Sequence, residues 1–371
     1  MIQRLVLGHF RNYERQTVEF AGGANALLGE NGQGKTNILE AVYYLSLLRS
    51  FRTTQVTTLL NSGTGSFSIY GEVLDANGIQ TRLGVSNGAV RRLLVDGQPV
   101  RRSSDFISRL VCAPFLPEDL AIVKGHPGGR RRFLDIALCQ VSQGYLRSLQ
   151  NFDEALRSRN AMLKLSDRHP RNVATAYDHL LAEYASQVEI ERRGLAERLN
   201  EAVERISKVF FPDGRLLAVN YLSGIGRLLE PLADDRNAIQ EKYAKMLDEA
   251  YDRDARDGAT RYGPHRSDLA CMMNGRMLSL YGSEGECRAA AIALRLALLE
   301  ILVERHGPRG VTILVDDVLG ELDGTRRAAF LEQVTSSGQM IFAGTALPQG
   351  FPPGARVFQV RAGQVAQVSP D

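Results

Sequence analysis

Residues 2 to 20 alternate loosely between apolar and polar side chains, with Leu5, Leu7, Val18 and Phe20 on one face. That period of two predicts an opening β-hairpin turning at Arg11-Asn12-Tyr13. Ala24 to Leu28 is a short, mostly apolar run ending in a glycine-rich loop. From Thr36 the period lengthens to that of a helix, through Ile38, Leu39, Val42 and Tyr43. Strand, glycine-rich loop and helix make the first unit. Strand-like alternation returns over residues 66 to 100, with turn signals at Ala76-Asn77-Gly78 and Asp96-Gly97.

The composition shifts at Gly125-His126-Pro127-Gly128-Gly129, and beyond this joint the pattern is largely helical to about residue 260. Val173 to Val209 contains no proline and one glycine, Gly194. Its apolar positions include Leu181, Tyr184, Val188, Leu195, Leu199, Ile206 and Val209. One helix of that length would reach roughly 50 Å, so a bundle or a short antiparallel arm is expected, not a long coiled coil. After Arg261 the α/β pattern resumes. Ala289 to Glu304 reads as a helix, and Val311 to Val315 and Gln339 to Ala343 read as buried strands. Val357 to Val360 and Val365 to Val368 form a closing hairpin about Arg361-Ala362-Gly363. The fold class is α/β, and residues 1–129 and 261–371 are expected to build one discontinuous domain around an inserted helical domain, 130–260.

The 371 residues are 44% hydrophobic and 23% charged, the balance of a globular protein, which excludes disorder by composition. A formal charge of +3 permits nucleic-acid binding without arguing for it. The arginine runs Arg91-Arg92, Arg101-Arg102 and Arg130-Arg131-Arg132 each read equally well as solvated surface. Cys112, Cys139, Cys271 and Cys287 have no zinc-type spacing, so neither a metal site nor a disulfide framework is indicated, and a reducing compartment fits best. The start, Met1-Ile2-Gln3-Arg4, lacks the features of a secretion signal. The most apolar long stretch, Ala289 to Val303, contains Arg295 and Glu300 and is too short to span a membrane. The cytoplasm is the expected location.

Chemistry enters with Gly29-Glu30-Asn31-Gly32-Gln33-Gly34-Lys35-Thr36, a full match to G-x-x-x-x-G-K-[ST] between a strand and a helix. Its glycines let successive N–H groups turn toward phosphates, and the helix start favours negative charge. Gly29, Asn31, Gly32, Gly34, Lys35, Thr36 and Asn37 are the candidate ATP-binding residues, with Lys35 neutralising the β- and γ-phosphates and Thr36 holding Mg²⁺. A second acid for the metal comes from Thr312-Ile313-Leu314-Val315-Asp316-Asp317, an apolar strand delivering two carboxylates. Asp316 is the candidate metal ligand, and Asp317 is placed to orient or activate the attacking water. Lys35, Asp316 and Asp317 form the expected catalytic set.

Two further segments are weak alone. Ser283-Glu284-Gly285-Glu286, before the helix at Ala289, reads as a capping box. Leu319-Gly320-Glu321-Leu322-Asp323 reads as a helix start capped by Asp323. Their order after the P-loop changes the reading, because P-loop, Ser-x-Gly before a helix, apolar-Asp-Asp, then Leu-Asp resembles the heads of ABC ATPases. In that architecture Ser283 and Gly285 complete the nucleotide site of a second subunit. One of each motif per chain implies a symmetric homodimer with two ATP molecules between the heads, closed by ATP and released by hydrolysis.

Longer blocks resemble the RecF family. Leu28 to Ala41 is similar to its P-loop segment and Leu48 to Thr53 to the continuation. Phe115-Leu116-Pro117-Glu118-Asp119-Leu120, followed by Val123, Gly125, Pro127 and Arg131 to Asp135, is similar to a second block. Tyr262-Gly263-Pro264-His265-Arg266-Ser267-Asp268-Leu269 is similar to a third. The resemblance covers essentially the whole chain. It implies an SMC-like ABC head with mixed sheets and an inserted helical lobe or arm, Arg11 and Asn12 near the nucleotide, and weak, DNA-stimulated ATP hydrolysis. It further implies ATP-dependent binding to DNA at single-strand gaps and stalled forks, in recombinational repair, acting with RecR and RecO to load RecA. Arg131 and Arg132 are candidate DNA contacts. Where the family has Ser-Gln-Gly-Gln, this chain has two carboxylates, Glu284 and Glu286, with Arg288 as the candidate counter-charge. The alternatives are another ABC-type ATPase, either a nucleotide-gated scaffold or a transporter subunit.

Overall fold

The computed structural model describes residues 1–142, 144–164, 171–211, 213–226 and 235–368. The chain begins with strands β1 (Ile2–Phe10), β2 (Tyr13–Glu19) and β3 (Ala24–Leu28), then helix α1 (Lys35–Leu47). Strands β4 (Phe67–Leu74), β5 (Gln80–Asn87), β6 (Arg92–Val95) and β7 (Gln98–Val100) follow, with α2 (Ser103–Phe106), β8 (Val111–Phe115) and α3 (Leu120–Lys124). Helices α4 (Pro127–Val141), α5 (Tyr145–Leu163) and α6 (Arg171–Phe210) lead to β9 (Leu217–Leu222), α7 (Arg236–Glu249) and α8 (Tyr251–Asp257). Next come β10 (Asp268–Met273), β11 (Arg276–Met277), α9 (Leu278–Tyr281) and α10 (Glu284–His306). The chain closes with β12 (Val311–Asp316), α11 (Gly324–Ser337), β13 (Gln339–Gly344), β14 (Arg356–Arg361) and β15 (Gln364–Val368).

Residues 1–120, 205–215 and 288–371 form one compact unit. It holds two six-stranded sheets, ordered β2-β1-β4-β5-β6-β7 and β15-β14-β3-β13-β12-β8. The alternation read at the N-terminus sets the first, where Phe10 pairs with Tyr13 and the turn is Arg11-Asn12. Leu5, Leu7, Val18 and Phe20 are all buried. In the second sheet β3, β13, β12 and β8 run parallel, as near-continuous apolar runs do when both faces are covered. Helix α1 lies between the sheets, touching β1, β4 and β5 of one and β8, β12 and β13 of the other. A helix with two apolar faces follows, with Ile38, Leu39, Val42, Tyr43 and Leu45 all buried.

The other unit comprises residues 121–204 and 216–287. These bounds differ from the expected 130–260 insertion at both ends, and residues 205–215 belong with the first unit. At the Gly-rich joint only Gly125 and His126 lie between α3 and α4. Pro127 occupies the first turn of α4 and carries Gly128 and Gly129 into the helix, where early N–H groups need no intrahelical partner. The 173–209 segment lies within one unbroken 40-residue helix, α6, about 60 Å long at 1.5 Å per residue. It is bonded to α5 through Arg159 and Asp178 and to α7 through Tyr243 and Glu189, the bundle alternative of the expectation. Val209, expected on its apolar stripe, is exposed. A small antiparallel sheet, β11-β10-β9, also lies here, and its strand β9 falls within a stretch read as helical.

Long-range ion pairs hold this second unit. Arg130 donates from Nε and Nη2 to Asp268 at 2.6 and 2.8 Å, and Arg131 donates to the Ser267 carbonyl at 2.7 Å. Arg192 grips Asp135 at 2.8 and 3.0 Å and donates to the Pro264 carbonyl at 2.7 Å. The second and third RecF-like blocks therefore meet each other. The arginine run at 130 is not uniformly solvated: Arg130 is buried, Arg131 is half-buried and only Arg132 is exposed.

Candidate nucleotide-binding site

The parallel strands of the second sheet all end on one edge, where open α/β sheets bind ligands. There β3 delivers the P-loop and β12 delivers Asp316, with β13 between them in register, Asp316 opposite Ala343 and Gly344 opposite Leu28. The P-loop is crowded from behind. A Cβ on Gly29 would stand 2.3 Å from the Val360 carbonyl oxygen, and one on Gly34 would stand 2.6 Å from Asn12 Nδ2 and 2.8 Å from the Tyr13 hydroxyl. Gly34 also has φ 115°, open to glycine alone at little cost. These glycines thus serve close packing as well as phosphate access.

Lys35 donates from Nζ to the carbonyls of Gly29 and Glu30, both at 2.7 Å. Burial pushes its pKa down, and the charges of Asp316 and Asp317 oppose that shift. Thr36 Oγ1 donates to Asp316 Oδ1 at 3.0 Å. Asp316 is 8% exposed, and its pKa is pushed up to about 6, chiefly by burial. The neighbouring charges of Glu118 and Asp317 raise it further, while the Thr36 hydrogen bond and Arg52 oppose them. Asp317 is exposed. Its backbone is left-handed at φ 51° and its N–H donates to the Ala343 carbonyl at 3.1 Å. A non-glycine residue in that region is uncommon and recurs at functional sites.

The donor set suits Mg²⁺. Two hard oxygens 3.0 Å apart, Thr36 Oγ1 and Asp316 Oδ1, match the roughly 3 Å between neighbouring ligands of an octahedral ion bound at about 2.1 Å. Among the described residues no group of three or more His, Cys, Asp or Glu side chains could hold a metal. Phosphate oxygens and water would have to fill the remaining positions.

The Arg11-Asn12 turn lies against the P-loop, but its side chains are engaged. Arg11 donates to both oxygens of the fully buried Glu40, at 2.8 and 2.7 Å, and to the Thr58 carbonyl at 2.8 Å. Asn12 donates to the Gln33 carbonyl at 3.0 Å and accepts from Asn37 at 2.8 Å, while Arg52 donates to Asn37 at 3.0 Å. On the far side the Ala362 N–H donates to Gln33 Oε1 at 2.7 Å. Asn31 and Gly32 are exposed at the loop tip. Sequence reasoning gave no role to Glu40, Arg52 or Glu118. A charged residue between Leu39 and Ala41 on a buried helix was the available signal for Glu40.

Ser283 and Gly285 lie in the other unit, exposed at the start of α10. The capping box is present: Glu286 N–H donates to Ser283 Oγ at 3.3 Å, and the Glu286 carboxylate accepts from Ser283 N–H at 2.8 Å and its hydroxyl at 2.9 Å. Arg288, the expected counter-charge, pairs with Glu321 at 2.7 Å. Asp323 caps α11 by accepting from the Arg326 N–H at 2.9 Å.

Residues 1–349 match the model of the RecF/RecN/SMC N terminal domain. The DNA replication and repair protein RecF of Streptococcus suis strain 05ZYH33 is 35% identical over 373 residues, covering 99% of each chain. The chain belongs to the RecF family. RecF of Symbiobacterium thermophilum is 34% identical over 98% of this chain and 97% of its own. Among solved structures, the recombination mediator protein RecF-ATP of the RecFOR pathway has a TM-score of 0.91 at 28% identity, over 99% and 97% of the two chains. An Smc head bound to the C-winged helix domain of ScpA has a TM-score of 0.57 at 15% identity, over 100% and 98%, a likeness of fold alone. RecF membership makes this an ATP-binding ATPase of the ABC type with an SMC-like head. No helix among the described residues is long and apolar enough to cross a membrane.

Proposed function

We propose that the protein is an ATP-gated DNA-binding protein of recombinational repair. Mg²⁺-ATP sits on the P-loop, Ser283 and Gly285 of a second copy close the site, and the resulting homodimer holds DNA at single-strand gaps. The observation that carries this is the Thr36–Asp316 contact at 3.0 Å, joining the P-loop helix to the strand that ends in two acids. Lys35 stabilises the β- and γ-phosphate charge, and Thr36 and Asp316 would hold the ion, which would supply further charge neutralisation. Asp317 orients the attacking water and accepts its proton. Loss of the γ-phosphate removes the bridge between copies, and weak, DNA-stimulated hydrolysis sets how long the dimer persists. Solved relatives belong to the RecFOR pathway, which supports RecR and RecO as partners in loading RecA.

The test is fluorescence anisotropy on a gapped duplex at fixed salt, comparing ATP, ADP and Lys35→Ala. Binding that needs ATP and disappears in Lys35→Ala is expected. Equal, tight binding in every state would sink the coupling of ATP to DNA.

A further inference from the structure

Scattered surface hydrophobics are ordinary, but Leu280 and Tyr281 are not scattered. They are 71% and 72% exposed, and among the described residues they are the one pair of exposed large hydrophobics adjacent in sequence. They occupy the outer side of α9, whose first residue, Leu278, is buried. Ser283 begins two residues later.

The mount is rigid. Gly282 N–H donates to the Leu278 carbonyl at 2.9 Å, and Cys287 N–H donates to the Ser283 carbonyl at 3.0 Å. The buried Cys287 thiol also faces the Leu278 carbonyl, at 3.5 Å. No side chain fits at the joint, because a Cβ on Gly282 would stand 2.7 Å from Cys287 Sγ and 2.7 Å from the Leu278 oxygen. These contacts tie the backbone of α9 to the start of α10, so Leu280 and Tyr281 stand exposed on a segment anchored beside Ser283 and Gly285.

We propose that Leu280 and Tyr281 are the apolar anchor of the ATP-closed dimer, packing against a second copy of this chain beside the nucleotide that Ser283 and Gly285 complete. The proposal rests on the head-to-head reading above. Continuity with that segment selects a second copy as the occupant. The segment itself is short and polar, with two carboxylates, and it offers little apolar area to hold two heads together. An exposed Leu-Tyr pair supplies that area at low entropic cost, since Tyr has few rotamers to lose. Two-fold symmetry uses the pair twice, so each substitution counts twice.

The experiment is sedimentation velocity of the full chain with Mg²⁺ and a slowly hydrolysed ATP analogue, over a concentration series, for wild type, Leu280→Ser, Tyr281→Ala and Tyr281→Phe. Thermal melts of each variant establish folding. Loss of about tenfold per copy, hence about a hundredfold in the dimer dissociation constant, is expected for Tyr281→Ala, with Tyr281→Phe close to wild type. Wild-type dimerisation matched by Leu280→Ser and Tyr281→Ala overturns this inference and leaves the dimer reading standing. Unaltered dimers that lose gapped-duplex binding overturn it in favour of a DNA contact. A wild type that stays monomeric overturns both readings.

Discussion

Lys35 and Arg130 are both cations directly preceded by glycine at the start of a helix, yet their surroundings have opposite character. Arg130 is matched. Asp268 receives it through two hydrogen bonds, at 2.6 and 2.8 Å, and that contact raises its pKa. Lys35 is under-compensated: burial lowers its pKa and its direct partners are neutral carbonyls. The nearby Asp316 is equally uneasy, with its pKa pushed up to about 6 by burial. Charges that the fold satisfies hold the fold together. Charges that it leaves strained are set for a ligand that brings the missing charge, here phosphate and a divalent cation.

The largest effect expected from this contrast is at Asp317. Asp317→Asn keeps the backbone and nearly the shape but removes the proton acceptor. Turnover should fall by about a hundredfold or more, with ATP affinity little changed. Single-turnover hydrolysis alongside nucleotide binding checks this, and an unaltered rate would remove Asp317 from the mechanism.

Arg130→Met tests the satisfied side. It leaves the Asp268 carboxylate without its partner, and because that side chain is 23% exposed, the cost should be about 2 kcal/mol, below that of a fully buried pair. Urea unfolding should show that loss, and adding Asp268→Leu should recover part of it. A drop in ATP affinity at unchanged stability would break the division drawn between the two regions.

Asp316 gives an effect of the opposite sign. Its folded-state pKa of about 6 lies above the ordinary aspartate value of 3.8, so the folded protein binds that proton more tightly than the unfolded chain does. The stability penalty is complete above pH 6 and is relieved as pH falls from about 6 toward 3.8. Without nucleotide or Mg²⁺, Asp316→Asn should therefore melt about 2 °C higher than wild type at pH 7.5, and the gap should close near pH 4. A variant that melts lower at pH 7.5 would mean the carboxylate is already well compensated.

The sequence made the strained region easier to read than the satisfied one, for a physical reason. A phosphate cradle must be contiguous, so residues 29 to 36 carry their chemistry within eight positions, and two acids at a strand end need only β12. Arg130 and Asp268 stand 138 residues apart, and neither local pattern announces the other. Gly125 and His126 do break the chain, but the same Gly/Pro signal hides that Pro127 already starts α4, and β9 is too short to interrupt a helical composition. The bonds from Arg11 to Glu40 were hidden for the same reason as those of Arg130. Sequence spacing does not encode which side chains the fold will saturate.

The smallest effect is expected at Glu286, where the two kinds of region meet in one side chain. Its carboxylate satisfies Ser283, accepting from both the backbone N–H and the hydroxyl at 2.8 and 2.9 Å, and so it occupies the group that a partner's γ-phosphate is proposed to use. It also places negative charge where another anion must arrive. Arg288, the nearest candidate for relief, is paired with Glu321. Glu286→Gln keeps a weaker capping box, so the helix should lose well under about 1 kcal/mol. Removing the charge should strengthen ATP-dependent dimerisation several-fold, most at low salt, where screening is least. Sedimentation at two ionic strengths decides it. A weaker dimer would show that the carboxylate positions Ser283 for the partner's phosphate, placing Glu286 on the satisfied side of the comparison.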